Sequence, residues 1–262
     1  EPVTAQPWDE SRAREAVQRI VEDTERHFSP LTLWPMHPLD SKDPSPSYPL
    51  YMGACGVIWA LRYLQAQGAA SLSRDYKPFV LSLLGPNRVA MEHSGDSPFG
   101  SYMMGDTAIR LLSYWFDPSE ETGLELARLI RANVDHPTRE LMWGSPGTLL
   151  AAALMYERTQ EPGWAELFQG TARKLWSQLE WSAAEGCHYW TQDMYGETSS
   201  YLDAVHGFVA TALPLIRGRN LLASTEWAAW RACLAHTSQL TPEHHAKLLN
   251  CPARLYRPPR GP

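Results

Sequence analysis

The chain has no long hydrophobic run. Its longest apolar stretch lies near Leu149–Met155, well short of the roughly 18 residues that a bilayer-spanning helix needs. The opening Glu1-Pro2-Val3-Thr4 offers no basic region followed by an apolar core, so no secretory signal is visible there. The first residue is not Met, as expected of a processed or incomplete start. Basic blocks are missing too. Against 23 Lys and Arg stand 29 Asp and Glu, a net charge of −6, which argues against nucleic acid as a partner because polyanions select basic surfaces. No Lys/Arg-rich run suggests a membrane surface. Cysteine is scarce: Cys55, Cys187, Cys233 and Cys251, none in a C-x-x-C pair. Four in a chain of this length make no disulfide framework. They are expected to be reduced, mostly buried thiols in a cytoplasmic protein.

What is present is an ordinary soluble mix, 44% apolar and 20% charged, in a length that suits one large domain or two small ones; with its irregular regions read as loops within repeats, a single domain over residues 1–262 is expected. Most of it reads as helix. In Ser11–Arg26, Ala13, Val17, Ile20, Val21 and Thr24 recur near helical spacing between charges. The Pro-rich stretch Phe28–Tyr51 reads as a long irregular crossing.

The main organisational signal is a motif met four times. An aromatic or apolar approach leads to a Gly, then two residues, then Gly or Ala, then a mostly apolar helix. The glycines that open it are Gly53, Gly105, Gly144 and Gly207, followed at the fourth position by Gly56, Ala108, Gly147 and Ala210. More polar helical segments are expected between and after them, at Ser73–Leu84, Pro118–Val134, Gly163–Trp181 and Ser224–Ser238. Recurring units of this kind signal stacked hairpins. The apolar helix of each belongs inside and the amphipathic one outside. Hairpins set around an axis give an all-α fold, an α/α toroid. Gly at each inner start is expected to let neighbouring helices approach closely and to permit unusual backbone angles in the preceding loop. The inner N-termini are expected to aim unpaired N–H groups at a common cavity. Asn87–Phe99 and Glu185–Tyr201 read as loops within repeats, with Val89–Ser101 a cavity-facing loop and Cys187–Thr191 a short strand pair. Trp59, Trp115, Trp176 and Trp230 fall on helical segments and are expected in the core. Residues 241–262, ending in Pro252-Ala-Arg-Leu-Tyr-Arg-Pro-Pro-Arg-Gly-Pro262, read as a loop-like end where a domain stops inside a connection.

Three segments carry a resemblance: Leu50-Tyr-Met-Gly-Ala-Cys-Gly-Val-Ile-Trp-Ala-Leu61, Glu140-Leu-Met-Trp-Gly-Ser-Pro-Gly-Thr148, and Trp190-Thr-Gln-Asp-Met-Tyr-Gly196 leading to Tyr201-Leu-Asp-Ala-Val-His-Gly-Phe208. With the four repeats in register, the chain from about Trp8 to Pro262 resembles the lanthionine synthetase C-like family, its stand-alone bacterial members more than the lantibiotic cyclases. The resemblance implies a double α-toroid with six inner helices, of which this chain supplies four. It implies a zinc held by Trp-Cys-x-Gly and Cys-His-Gly motifs in the fifth and sixth inner segments. Neither motif occurs here, so zinc is expected of the family and not of this chain as given. Asn250-Cys251-Pro252 resembles the loop before the fifth segment, and the chain reads as the N-terminal portion of such a domain, inactive by itself.

The activity implied is addition of a Cys thiol, from a peptide or a small thiol such as glutathione, to a dehydroamino acid. Zinc keeps the sulfur deprotonated, and an acid protonates the enolate carbon that results. The resemblance assigns proton transfer to His206 and to the carboxylate position occupied by Glu140, where catalytic members carry Asp. His206 directly precedes Gly207 at an expected helix start, whose positive end favours the neutral ring; a local hydrogen-bonding His is the plainer reading. For Glu140 the plainer reading is a helix-flanking surface residue or a cap. Asp106, after Gly105, is a substrate-binding candidate or a helix-start residue. Asp193 and Tyr195 are candidates for the cavity lining or for a hairpin turn. Asp203 would orient His206 or cap its helix. His244-His245 with Cys251 lacks a well-spaced fourth ligand and makes no metal site. Two other functions fit the same residues. One is a carbohydrate-active toroid enzyme pairing Glu140 with Asp106 or Asp193. The other is a non-catalytic peptide-binding module whose inner helices lie uncovered at an open edge.

Overall fold

The computed structural model describes residues 7–37, 39, 45–94, 99–183, 186–194, 196–201, 204 and 206–238. The expectations placed on Gly95, Pro98, Tyr195, Asp203, His244, His245 and residues 241–262 lie outside them. Helix dominates, with two short β-hairpins, and no described helix is long and apolar enough to cross a membrane. The chain divides into two compact units, Glu1–Asn87 and Arg88–Pro262.

In the first unit, α1 (Glu10–Arg26) opens where the Asp9 side chain accepts from the Arg12 amide at 3.1 Å, satisfying one of the donors a helix start leaves unpaired. No helix forms between Arg26 and α2 (Ala54–Ala66) among the described residues, as the prolines require. Phe28 anchors an aromatic cluster there, with Trp34, Tyr76 and Phe79 at ring distances of 4.8, 5.2 and 5.0 Å. The Glu25 carboxylate is buried and accepts from the Ser73 and Arg74 amides and the Tyr76 hydroxyl. Burial and that carboxylate together push the Tyr76 phenol up to about 12.

The expected helix at Ser73–Leu84 and loop at Asn87–Phe99 are both displaced. Glu25 holds the Ser73 and Arg74 amides in a turn, so helix begins only at α3 (Lys77–Val80). A 3-10 turn, Leu81–Leu83, then leads into α4 (Leu84–Ser94). Val89–Ser94 is therefore helix and not part of a cavity-facing loop. Pro86 falls in the first turn of α4, where its missing N–H breaks no helical bond.

The second unit contains α5 (Asp106–Phe116), α6 (Glu120–Ala132), α7 (Ser145–Thr159), α8 (Pro162–Ser177), α9 (Phe208–Arg217) and α10 (Ser224–Ser238). Between α8 and α9 lie β1 (Glu180–Ser182), β2 (Cys187–Tyr189), β3 (Gln192–Met194) and β4 (Glu197–Ser199). β1 pairs antiparallel with β2 and β3 with β4. The strand at Cys187–Tyr189 was expected, but its partner is Glu180–Ser182, which the sequence places at the end of a helix. The segment Glu185–Tyr201, expected as loop, supplies three of these strands. Gly186 and Gly196, at φ of +63° and +80°, sit beside the strands in the left-handed conformation that glycine adopts without strain.

α7 is buried continuously from Ser145 to Met155, as a helix surrounded by others must be. It packs against α5, α6, α8 and α9. α6 and α8 are amphipathic. α8 buries Trp164, Phe168, Thr171, Ala172 and Leu175 on one stripe, and α6 packs on α5, α7 and α8. Within this unit α5, α7 and α9 follow one another side by side, with α6 and α8 laid on them. On the opposite side of α9, Val209, Leu213 and Ile216 are 47%, 53% and 47% exposed, an apolar stripe at helical spacing. Trp230 is buried, but Trp176, expected in the core, is 40% exposed and meets Trp230 edge-on at 4.8 Å.

All four repeat glycines are the caps of their helices, α2, α5, α7 and α9. Their φ angles, −132°, −95°, −92° and −109°, are ordinary extended backbone. The glycines do not serve unusual angles. Nor is their main role to let helices approach one another. A methyl group at Gly56 would lie 2.2 Å from the Leu50 carbonyl oxygen, and one at Gly147 would lie 2.3 Å from that of Leu141. At α2, α5 and α7 the room is needed by the helix's own approach loop, which folds back across its first turn; at Gly147 a neighbouring side chain, Tyr102, also comes close. The same fold-back occupies the helix-start amides. Ala54, Asp106 and Phe208 each donate to the carbonyl seven residues back, on Ser47, Phe99 and Tyr201. Those N–H groups are satisfied locally and do not open on a cavity.

These contacts predict opposite outcomes for two Gly→Ala changes. Gly147→Ala forces the Leu141 carbonyl aside and should lower stability by about 2 kcal/mol or more. Gly170→Ala, inside α8 with nothing within 4 Å, should raise it by about 0.5–1 kcal/mol. Urea unfolding of the two variants checks both signs.

Candidate functional site

Glu140 and His206 lie 66 residues apart in sequence and meet in the fold. Glu140 has no exposed surface. It sits in the approach loop of α7, four residues before the Gly144 cap, and its backbone carbonyl accepts from the Gly144 amide at 3.0 Å. Its side chain turns back into that loop. Oε2 accepts from the Met142 amide at 2.9 Å and Oε1 accepts from the Trp143 amide. His206 Nδ1 lies 2.9 Å from Oε2, and the imidazole is 30% exposed. A carboxylate already taking two amide protons can only accept, so Nδ1 is the donor of the pair. The ring's outward chemistry then falls to Nε2. Glu140 is thus neither a surface residue nor a plain helix cap. It locks a turn and orients an imidazole.

The surroundings of the pair come from neighbouring approach loops. Ser101, at the position in the α5 loop that Glu140 holds in the α7 loop, accepts from the Met104 amide and donates to the Met142 carbonyl at 2.7 Å. The Met103 amide donates to the same carbonyl. The loops before α5, α7 and α9 are therefore joined to one another, and the starts of three helices lie at one end of this unit. Met91, Met142 and Trp143 are buried there as one cluster, with Phe99, Met103 and Met104 half-buried against it. The other side is braced by the strand segment. Arg139, at φ +45°, donates to the Thr191 carbonyl at 2.7 Å, and the Thr138 hydroxyl donates to the Asp193 carbonyl at 3.0 Å. Tyr201 stands 6.0 Å from the His206 ring.

The remaining candidates separate from this pair. Asp106 is fully buried and ion-paired with Arg88 Nε, whose guanidinium also lies over the Phe99 ring at 5.3 Å. Asp193 contributes its backbone to the site, and its side chain is exposed. Sequence reasoning missed Ser101, Arg139 and His136. Only the position of Ser101 relative to the repeat glycines could have flagged it. His136 is half-buried, its Nδ1 accepts from the Thr138 amide at 3.2 Å, and burial lowers its pKa below the usual value, opposed in part by the Glu140 charge. A cleft of about 560 Å³ between α6 and α8, lined by Tyr114, Leu124, Arg131 and Trp164 among others, contains none of the candidates.

Among the described residues no group of three His, Cys, Asp or Glu is arranged to hold a metal. Burial raises the thiols of Cys55 and Cys233 well above the ordinary range, which opposes the thiolate form that zinc requires. No step is therefore assigned to a metal. No family model matches the chain, and no curated protein matches it.

Two outcomes follow from the site's construction. Glu140→Ala leaves two turn amides and the His206 N–H without their acceptor and should destabilise the protein by about 3 kcal/mol, read by denaturant unfolding. His136 titrates below its unfolded value of 6.5. Unfolded chains therefore take up a proton that the native state refuses. The stability tied to His136 is complete above 6.5 and is lost as pH falls through and below it. His136→Gln should flatten that acid limb in unfolding curves collected across the range.

Proposed function

We propose that the chain is a lanthionine synthetase C-like protein of α/α-toroid type, and that its described part contributes a proton-transfer pair to the addition of a thiol to a dehydroamino acid in a peptide. The observation that carries this reading is the pairing of His206 with Glu140 at 2.9 Å. The family resemblance had marked these two positions separately. The toroid arrangement is favoured by the order α5, α7, α9 in a row with α6 and α8 upon them. It is favoured too by the exposed apolar stripe of α9, the face on which a further inner helix would pack.

Thiol addition to the dehydroamino acid's double bond leaves an enolate, which needs a proton at carbon. His206 is suited to deliver it from Nε2. As the ring loses or gains that proton, the fixed carboxylate on Nδ1 keeps the tautomer and stabilises the imidazolium form. The Met and aromatic cluster beside the pair would exclude water and receive an apolar part of a peptide. In the family, zinc supplies the deprotonated thiol. The described residues of this chain do not form that site and are given no part in that step.

The carbohydrate-active alternative gains nothing from the geometry. Glu140 and Asp106 have no exposed surface, and each carboxylate is engaged inside the protein, whereas glycoside hydrolysis needs two carboxyl groups facing one bond.

The test uses the whole chain with a dehydroalanine-containing peptide and a thiol in D2O, following thioether formation and deuterium at the α-carbon by mass spectrometry. With the thiol supplied already ionised, at a pH near its own pKa, the metal's part in the step is bypassed and acceleration over buffer is expected; His206→Asn should reduce it about 100-fold or more with an unchanged circular dichroism spectrum. A chain that gives no rate above buffer, or a His206→Asn variant as fast as the parent, would sink the reading.

A further inference from the structure

α10 lies against β2, and the hydrogen bonds between them fix which residues face each other. His236 Nε2 donates to the Gly186 carbonyl. The Thr237 hydroxyl donates to the His188 carbonyl at 3.4 Å. Gly186 and His188 flank Cys187 in the chain. Cys233 precedes Thr237 by one helical turn, so the two share a face of α10. That face therefore brings Cys233 onto the strand beside Cys187. Both thiols are buried, Cys187 at 0% and Cys233 at 5% exposure. Burial first, and then the neighbouring Cys187 thiol, push the Cys233 thiol up to about 11. Cys55, by contrast, lies in the first unit.

We propose that Cys187 and Cys233 are a modification site, a dithiol that a small-molecule disulfide oxidises to an intramolecular bridge. The Cys233 thiolate, the less buried of the two, attacks one sulfur of the small disulfide. Its S–S bond breaks and one small thiol leaves. The Cys187 thiolate then attacks the Cys233 sulfur of the mixed disulfide, forms the protein S–S bond and expels the second small thiol. The two protons given up by the protein thiols end on the two thiols released. Two protein sulfurs are oxidised and two reagent sulfurs reduced.

The bridge has a structural consequence. It staples α10 to the segment that continues through Trp190 to Thr191, whose carbonyl holds Arg139, the residue before Glu140. The strand segment whose continuation braces the His206–Glu140 pair would then be tied covalently to the last described helix.

The experiment treats the full chain, under native conditions, with oxidised glutathione, counts thiols, and maps cross-linked peptides by mass spectrometry. Two thiols should be lost together without retained glutathione, and the linked peptides should be those of Cys187 and Cys233. Because only the thiolate attacks, the rate should rise about tenfold per pH unit from pH 7 toward 10. Cys233→Ser should abolish the internal bridge; should that variant fail to fold, the peptide map of the parent chain decides alone. A stable glutathione adduct on Cys233, a bridge from either residue to Cys55 or Cys251, or no thiol loss before denaturant is added would overturn the proposal. None of these readouts depends on thioether activity.

Discussion

A carboxylate with no exposed surface must be enclosed by donors, because an ionised group left unpaired in the interior costs several kcal/mol. Glu140 meets that demand with two amides of its own loop and the Nδ1 proton of His206. The bonds to Met142 and Trp143 set the shape of the α7 approach loop. That shape presents the Met142 carbonyl to Ser101 and Met103 of the α5 loop. The bond to His206 joins the α9 loop from the other side. One buried charge thus holds three helix starts together, with the half-buried imidazole as its third donor.

The glycine-capped helices of both units share a second constraint, the close passage of each approach loop over its own helix. Gly56 and Gly147 make room for a carbonyl six residues earlier, and the first amides of α2, α5 and α9 close on carbonyls seven residues earlier. The first amides of these helices are thereby already paired. Glu25 performs the same task in the first unit, where a buried carboxylate pins the Ser73 and Arg74 amides.

The helical content, the glycine caps and the extents of α6, α8 and α10 were legible to within a few residues. Each is set by local chemistry: cap residues, apolar spacing and proline exclusion. The hairpins at Glu180–Tyr189 and Gln192–Ser199 were not all legible, since strand pairing depends on partners that no local pattern specifies. α4 covers Leu84–Ser94, where the sequence, with Gly95, Pro98 and Gly100 close by, predicts loop from Asn87 onward; Pro86 is tolerated because it falls in the first turn.

For the candidate site, the sequence by itself marked Glu140 and His206 as candidates and set His206 at a helix start. It also determined that each apolar helix begins at a glycine. Only the tertiary structure decided that Glu140 is buried and bonded to that His, that Asp106 belongs to Arg88, and that the glycines accommodate their own loops. The reason is physical. Capping and periodicity act over a few residues, whereas burial, ion pairing and contact between loops are properties of chain segments brought together from tens of residues apart.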